Sequence, residues 1–511
     1  MPARRIAAIV LPRLLCEIAG SGSSRRPVGV VLSASEHLSD QATLDAVDQR
    51  ARKAGLRAGL TIAEARAYVA ALDVRRVTEA QVHQALASVA EVAMAFGPTV
   101  SLCAPDAVYV DLTGAAHLAG GEEALAAELH DRVAQLDHAA RVVIADGPQV
   151  GAAVARHATT LAQVIPPGQG HKAMAALPCT ALPLDDETTG WLVRVGVVTV
   201  SDLGRLPRDQ VASRLGDRAP LVLSLIAGHD PSPLVAYEPP RVVSEELSWE
   251  EGVEQQSALV FVLNRLTARV AARLEGRGEA TRALVLQIQC DKGIAHLRGV
   301  APQCTLRVDL PSPLSRADDL LRAMRAKLEG AQLGAPALAM TLQAPLVTRA
   351  PRVQLDLSRD VQASPDALPV LLAELSAEIG ADRVGVLALQ PSYRPESRSQ
   401  LRPIGDLAHL RRSSPNPTLS GPGAAVTRIL ASPHPIGQGP IAIGDLVVCM
   451  PVALEVKAME FDVRLHGVDW WTSSPVSRDY ARVWLSNDSG STGWVFIDRT
   501  TGESWLHGWI E

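Results

Sequence analysis

The sequence predicts a multidomain α/β protein that ends in a small, mainly-β domain. Three observations predict it. The chain has 511 residues, which at about 150 residues per domain suggests about three or four domains. Across the first two thirds, short apolar strand-like runs alternate with segments whose apolar residues recur every three to four positions. Beyond residue 424 the pattern changes to short alternating runs, and six of the eight Trp of the chain fall there.

The elements can be justified in order. The N-terminus, MPARRIAAIVLPRLL, has two Arg and then an apolar run. Pro12 and Arg13 stop that run short of a signal peptide's apolar region. Residues 5–11 therefore read as a first buried strand, and no stretch nears the ~20 apolar residues of a membrane span. A Gly/Ser/Arg loop at 20–26 precedes a strand at 27–33. Gly55 and Gly59 suit the ends of a short helix. Helices are expected over 82–95, 122–136 and 149–160, with a strand at 141–145 between the last two. In residues 101–114, SLCAPDAVYVDLTG, Val108, Val110 and Leu112 alternate with Tyr109, Asp111 and Thr113, the period of a strand with two unlike faces. Residues 181–218 read as a helix, a Val-Gly-Val turn and a second helix entered at Ser201, whose hydroxyl would cap it. An amphipathic helix covers 256–274, strands cover 284–290 and 337–342, and 364–390 form one more helix–strand unit. Residues 413–423, SSPNPTLSGPG, are a linker by composition. In the tail, turns such as NDSGSTG and DRTTG separate antiparallel hairpins. Its Trp residues are expected mostly in a core, with some left for a partner surface.

Charge narrows the function classes. The net charge is −6, so no global basic field marks a nucleic-acid binder. Locally, residues 265–327 carry twelve Lys/Arg against six Asp/Glu. Within them Arg265, Arg269 and Arg273 recur every four residues and share a helix face. They are the candidate phosphate contacts, although a solvated helix face has the same pattern. Residues 394–412 add five Arg against Glu396 and Asp406. The six Cys form no CxxC pair, which argues against a zinc site or a disulfide framework and fits a reducing compartment.

The run at 101–114 resembles the palm strand of the Y-family (translesion) DNA polymerases, whose signature reads roughly S-I-D-E-A-Y-L-D-L-T-G. Aligned on the shared YxDLTG, the signature Asp falls on Asp106 and the signature Glu on Ala107. The family's first strand carries a metal-binding Asp that here falls on Leu11. Its second Asp falls on Arg13 and its ribonucleotide-excluding aromatic on Cys16. The stretch 48–66 is similar to the family's fingers, with Arg52, Gly55, Gly59, Glu64 and Ala65 matching and the nucleotide-holding Tyr replaced by Gln49. A triphosphate-side lysine falls on Ala152. The resemblance implies a right-hand fold: palm over 1–175 with a fingers insertion at about 20–75, a helix-hairpin-helix-like thumb over 176–242, and a little finger over 243–350. A clamp-binding peptide and Arg-rich linker would follow over 351–423, and then the Trp-rich β domain over 424–511.

Polymerases of this kind use two divalent ions held by two or three carboxylates. Leu11 and Ala107 supply no oxygen ligand. Asp111 lies five residues down the strand from Asp106, on the order of 17 Å. The expectation is a pseudo-polymerase without catalytic residues, metal or cofactor, with Leu11, Asp106 and Ala107 as vestiges. Gln354, Leu355 and Leu357 match the Q-L-x-L peptide that docks on the bacterial sliding clamp, with Ser358 in place of its aromatic; an ordinary edge strand is the competing reading. The altered palm, the QLDL peptide, the YRPE run at 393–396 and the tail together are similar to the ImuB family. That resemblance implies an adapter joining DNA and the beta sliding clamp to an error-prone DnaE-type polymerase and to ImuA or another RecA-like accessory protein, cytoplasmic and nucleoid-associated. Two alternatives stay open: an active translesion polymerase with an altered metal site, and a DNA-binding module without clamp or polymerase partner.

Overall fold

A computed structural model describes residues 4–350, 367–380, 382–390, 392–403, 428–449, 452–486 and 492–510. The chain divides into two units, residues 1–377 and 378–511.

The first unit begins with an α/β core. Its elements are β1 (Ile6–Val10), α1 (Leu14–Ile18), β2 (Val28–Leu32), β3 (Ala46–Val47), α2 (Gln49–Lys53), α3 (Ile62–Tyr68), β4 (Asp73–Val77), α4 (Glu79–Ala93), β5 (Val100–Cys103), β6 (Ala107–Asp111), α5 (Glu122–Ala134), β7 (Arg141–Ala145), α6 (Pro148–His157) and β8 (Ala162–Val164). Five strands form the main sheet in the order β5-β6-β1-β7-β8, and β3-β2-β4 form a small one. β1 is central and all five of its residues are buried. Its odd-numbered side chains, Ala7 and Ile9, enter the core under α4 and α5. Its even-numbered ones, Ile6, Ala8 and Val10, enter the core under α6. This doubly covered sheet corrects the expected polar face of β6: Tyr109 is as enclosed as Val108 and Val110. The small sheet packs with α2 and α3 around Leu44, Leu56 and Ile62. Gly55, just past α2, has a φ of 88°, a turn that glycine makes without strain.

Five helices follow: α7 (Gly170–Ala175), α8 (Asp186–Arg194), α9 (Val200–Gly204), α10 (Arg208–Leu215) and α11 (Ala219–Ile226). The cap of α9 is Thr199, not Ser201. Asp202, three residues on, returns a bond to the Thr199 N–H at 3.1 Å, completing a reciprocal box that Ser201 could not form.

A strap at 229–242 leads to β9 (Val243–Val253), α12 (Gln256–Arg277), β10 (Glu279–Cys290), α13 (Lys292–Arg298), β11 (Gln303–Leu314), α14 (Ala317–Glu329), β12 (Ala337–Ala344) and β13 (Val347–Arg349). The strands order as β11-β10-β12-β9, with β13 beside β10. α12 and α14 cover one face through Leu263, Leu266, Val270, Leu320 and Met324. The opposite side of α12 packs on α4. Gly276 permits this: a Cβ there would lie 2.0 Å from the carbonyl oxygen of Glu91. Helix α15 (Ala367–Ile379) follows and runs across the boundary at residue 377.

The second unit has a hairpin, β14 (Gly385–Leu389) and β15 (Ser399–Pro403), and six strands, β16 (Arg428–Gln438), β17 (Leu446–Cys449), β18 (Val452–Val468), β19 (Val476–Leu485), β20 (Thr492–Asp498) and β21 (Glu503–Ile510). The six form one sheet in the order β16-β21-β20-β19-β18-β17. The unit begins well before residue 424, the boundary expected from composition. The reason is electrostatic: Arg394 grips Asp469, and Arg478 bonds Glu396 at 3.1 Å, so the YRPE run is part of this unit rather than of a linker. The Trp residues split. Trp494 is fully buried against Tyr480, whereas Trp470 and Trp471 are exposed.

Candidate functional site

The end of β1 is where the candidate catalytic positions meet. β1 and β6 pair antiparallel with Val10 opposite Ala107. The next residue, Leu11, donates its N–H to the Asp106 carbonyl at 2.7 Å. Leu11, Asp106 and Ala107 are therefore neighbours, although 95 residues separate them in the chain. Leu11 is 1% exposed and Ala107 is wholly enclosed. Their side chains enter different cores, one on each face of the sheet.

Asp106 is the one carboxylate among the three, and it is engaged. Arg156, in the last turn of α6, grips it with two bonds, Nε to Oδ2 at 3.0 Å and Nη2 to Oδ1 at 2.7 Å. Bonding to Asp106 raises the Arg156 pKa, with burial opposing. Ala152, one turn earlier on α6, is fully buried. This corner does not fit a divalent ion: leucine and alanine offer no donor, and a guanidinium already holds both carboxylate oxygens. The Arg156 contact was missed in the sequence. Arg156 stands in the same GAAVAR run as Ala152, and the signal available was a cation one helical turn further along the same face.

A cleft of about 1480 Å³ opens just past the end of β1, lined by Pro12, Arg13, Cys16, Gln49 and Arg52 from the first core and by Arg265 and Arg269 from α12, but not by Leu11, Asp106, Ala107 or Arg156. Arg50, Lys53 and Arg57 add to its cations, and Glu17, Asp45, Asp48, Asp137, Glu245 and Glu246 line it as well, so its walls are of mixed charge. Burial pushes the Cys16 thiol up to about 11, so it is a neutral packing group.

The three candidate phosphate contacts on α12 share a face, as their spacing requires, but that face meets acids. Arg265 bonds Asp137 at 2.7 Å and stays 44% exposed. Arg269 pairs with Glu245 at 3.0 Å. Arg273 is buried, with its Nε 2.6 Å from Glu91, its Nη1 2.8 Å from Glu245 and a further bond to the Ser244 carbonyl. Arg277 joins Glu91 at 2.7 Å, and the Tyr237 hydroxyl on the strap donates to the same carboxylate at 3.0 Å. Burial works to raise the Glu91 pKa, and Arg273 and Arg277 more than offset it, so the carboxyl sits below its usual range. This corrects the expectation for Arg273, which cannot reach a phosphate, and reduces that for Arg269, which lines the cleft from within an ion pair. Sequence spacing revealed the shared face but not what covers it. A lone Glu91 among the apolar residues of α4 was the available sign of a buried cation partner.

The clamp-peptide residues Gln354, Leu355, Leu357 and Ser358 lie outside the described residues. No group of three or more His, Cys, Asp or Glu side chains among the described residues is arranged to hold a metal ion. No described helix is long and apolar enough to cross a membrane.

Comparison with known proteins places these features in context. The profile of the impB/mucB/samB family matches residues 24–150. The profile of that family's C-terminal domain matches residues 240–357. The chain is 29% identical over 476 residues to the protein named ImuB of Caulobacter vibrioides (strain NA1000 / CB15N), an alignment covering 89% of this chain and 99% of that one. It is 24% identical over 332 residues to a DNA polymerase IV of Desulfatibacillum aliphaticivorans, covering 63% of this chain and 76% of that one. A DNA polymerase IV of Dehalococcoides mccartyi (strain ATCC BAA-2100 / JCM 16839 / KCTC 5957 / BAV1) is 26% identical over 197 residues, 38% of this chain and 50% of that one.

Proposed function

We propose that the chain is an ImuB-like homologue of the Y-family polymerases, on its 29% identity to the protein named ImuB and its two impB/mucB/samB profile matches, and that it acts in DNA damage tolerance as a non-catalytic adapter. On this reading the five-stranded sheet is the palm, the small sheet with α2 and α3 the fingers, α7–α11 the thumb and the sheet after residue 243 the little finger. The cleft holds DNA, with Arg265 and the cations of α2 facing the backbone. Gln354, Leu355 and Leu357 dock on the beta sliding clamp. The second unit meets an error-prone DnaE-type polymerase and ImuA or another RecA-like accessory protein, in the cytoplasm at the nucleoid.

The observation that carries the reading is the closed corner at Leu11, Ala107 and the Arg156-bound Asp106. A metal-dependent transferase needs exposed, paired carboxylates at the reacting centre. Here two of three positions are core and the third is neutralised. Primer extension with pure protein and Mg²⁺ or Mn²⁺ tests it. No extension is expected. Extension that disappears in Asp106→Ala would overturn the non-catalytic reading in favour of an active polymerase. Clamp binding lost in Gln354→Ala with Leu355→Ala would separate the adapter from a DNA-binding module that works alone.

A further inference from the structure

In the second unit, β18 ends in the turn Asp469-Trp470-Trp471-Thr472, and the two indoles stand outside any core, 75% and 70% exposed. Their centroids are 5.9 Å apart and their planes meet at 84°. The turn is built rather than loose. Asp469 has a φ of 56°, a left-handed conformation that Asp adopts more readily than most residues. Its carbonyl accepts from the Thr472 N–H at 2.9 Å and the Thr472 hydroxyl at 2.8 Å. Its carboxylate is held by Arg394, which also donates to the Ser474 carbonyl at 2.5 Å. Next to Arg394 in the chain, Tyr393 is 72% exposed. Three large aromatic rings are thus presented to solvent around one anchored arginine.

We propose that this turn is a stacking platform for single-stranded nucleic acid. Perpendicular rings cannot both lie flat on one protein surface, but each leaves a face on which a base can stack. The residues that follow the indoles are Thr472, Ser473 and Ser474, hydroxyl side chains of the kind that bond phosphate and sugar oxygens. Charge points the same way. Residues 392–403 and 466–478 contain Arg394, Arg398, Arg402 and Arg478 against Glu396 and Asp469; Arg394 pairs with Asp469 and Arg478 with Glu396, so the net of +2 corresponds to Arg398 and Arg402. The rest of the C-terminal sheet is acidic on balance, so this is the corner suited to a polyanion. Stacking tolerates any base, so the site would be indifferent to sequence. The proposal goes beyond the adapter reading and requires neither the clamp nor a polymerase partner.

The test is anisotropy of fluorescein-labelled oligo(dT) and of a labelled blunt duplex with the pure full chain. Trp470→Ala with Trp471→Ala is expected to weaken oligo(dT) binding at least about tenfold and leave duplex binding and the melting temperature unchanged. Trp470→Phe with Trp471→Phe should keep most of the affinity, since a smaller ring still stacks. Arg402→Glu should lower the salt slope for oligo(dT) by about 0.7. Unchanged oligo(dT) binding in the double alanine variant overturns the proposal, as does an equal loss for duplex. So does loss of a protein partner with oligo(dT) binding intact, which would make the turn a protein anchor. None of these results depends on primer extension, so the adapter reading stands or falls separately.

Discussion

Replacing Glu91 with Ala is the most informative perturbation of the first unit. Glu91 is fully buried, and it accepts from Arg273 at 2.6 and 2.9 Å, from Arg277 Nε at 2.9 Å and from Tyr237 at 3.0 Å. The side chains of Arg273 and Arg277 are 4% and 3% exposed, so removing the carboxylate strands two guanidiniums away from water. Glu245 still serves Arg273, which limits the damage there. Removing one partner of a buried pair costs about 3–5 kcal/mol, because the other charge is left uncompensated. The loss should fall on the contact between α4 and α12, and so on the attachment of the second sheet to the first core. Urea unfolding followed by far-UV dichroism would read it, and limited proteolysis would show earlier cutting in the strap at 229–242. Replacing Glu91, Arg273 and Arg277 together by Met should recover much of the loss, as apolar side chains can replace a buried ion pair. The sign with pH follows from the depressed Glu91 pKa. The stabilisation is complete above the unfolded value near 4.5 and is lost as pH falls through the lower folded one. A Glu91→Ala protein within about 1 kcal/mol of the parent would refute the reasoning.

Other outcomes follow from the same physics. Gly276→Ala should cost about 1–3 kcal/mol and loosen the same contact, because its Cβ meets the α4 backbone; an unchanged urea midpoint would count against that close approach. Leu11→Asp should destabilise by several kcal/mol, since it puts a carboxylate into the enclosed core; scanning calorimetry would detect it. His507 is fully enclosed, and burial lowers its pKa to about 4, with Glu396 opposing and Arg478 assisting. The unfolded chain therefore binds a proton below about 6.5 that the folded unit refuses. The second unit should lose up to a few kcal/mol between pH 6.5 and 4, and His507→Gln should flatten that slope in Trp fluorescence melts.

Periodicity was enough to read most elements from the sequence. β1, α4, α5, β7, α12 and the hairpins of the tail all appear near the expected positions, because each buries a repeating set of apolar residues. The neighbourhood of Leu11, Asp106 and Ala107 was also legible, since antiparallel strands fix the register once the resemblance supplies both ends. What periodicity hides is the partner of a side chain. Arg265, Arg269 and Arg273 announce one face of α12, but the sequence does not say that Asp137, Glu245 and Glu91 fill it. Tyr109 alternates with aliphatic residues as a solvent-facing residue would, yet α6 covers that side of the sheet. The early start of the second unit was hidden for the same reason, because it rests on Arg394 and Glu396 finding acceptors and donors about 80 residues away.

The grip of Arg156 on Asp106 has a consequence for how this chain can change. A carboxylate introduced alone at Leu11 would be buried without a counter-charge, and one introduced alone at Ala107 would stand beside another acid. Loss of Arg156 alone would free Asp106 without giving it a partner. Each single step toward a metal-binding corner is uphill in folding free energy, and none yields a working site by itself. The corner behaves as a ratchet: the present arrangement is stable against any one-step change toward a metal site, while the cleft and the tail can vary without disturbing it.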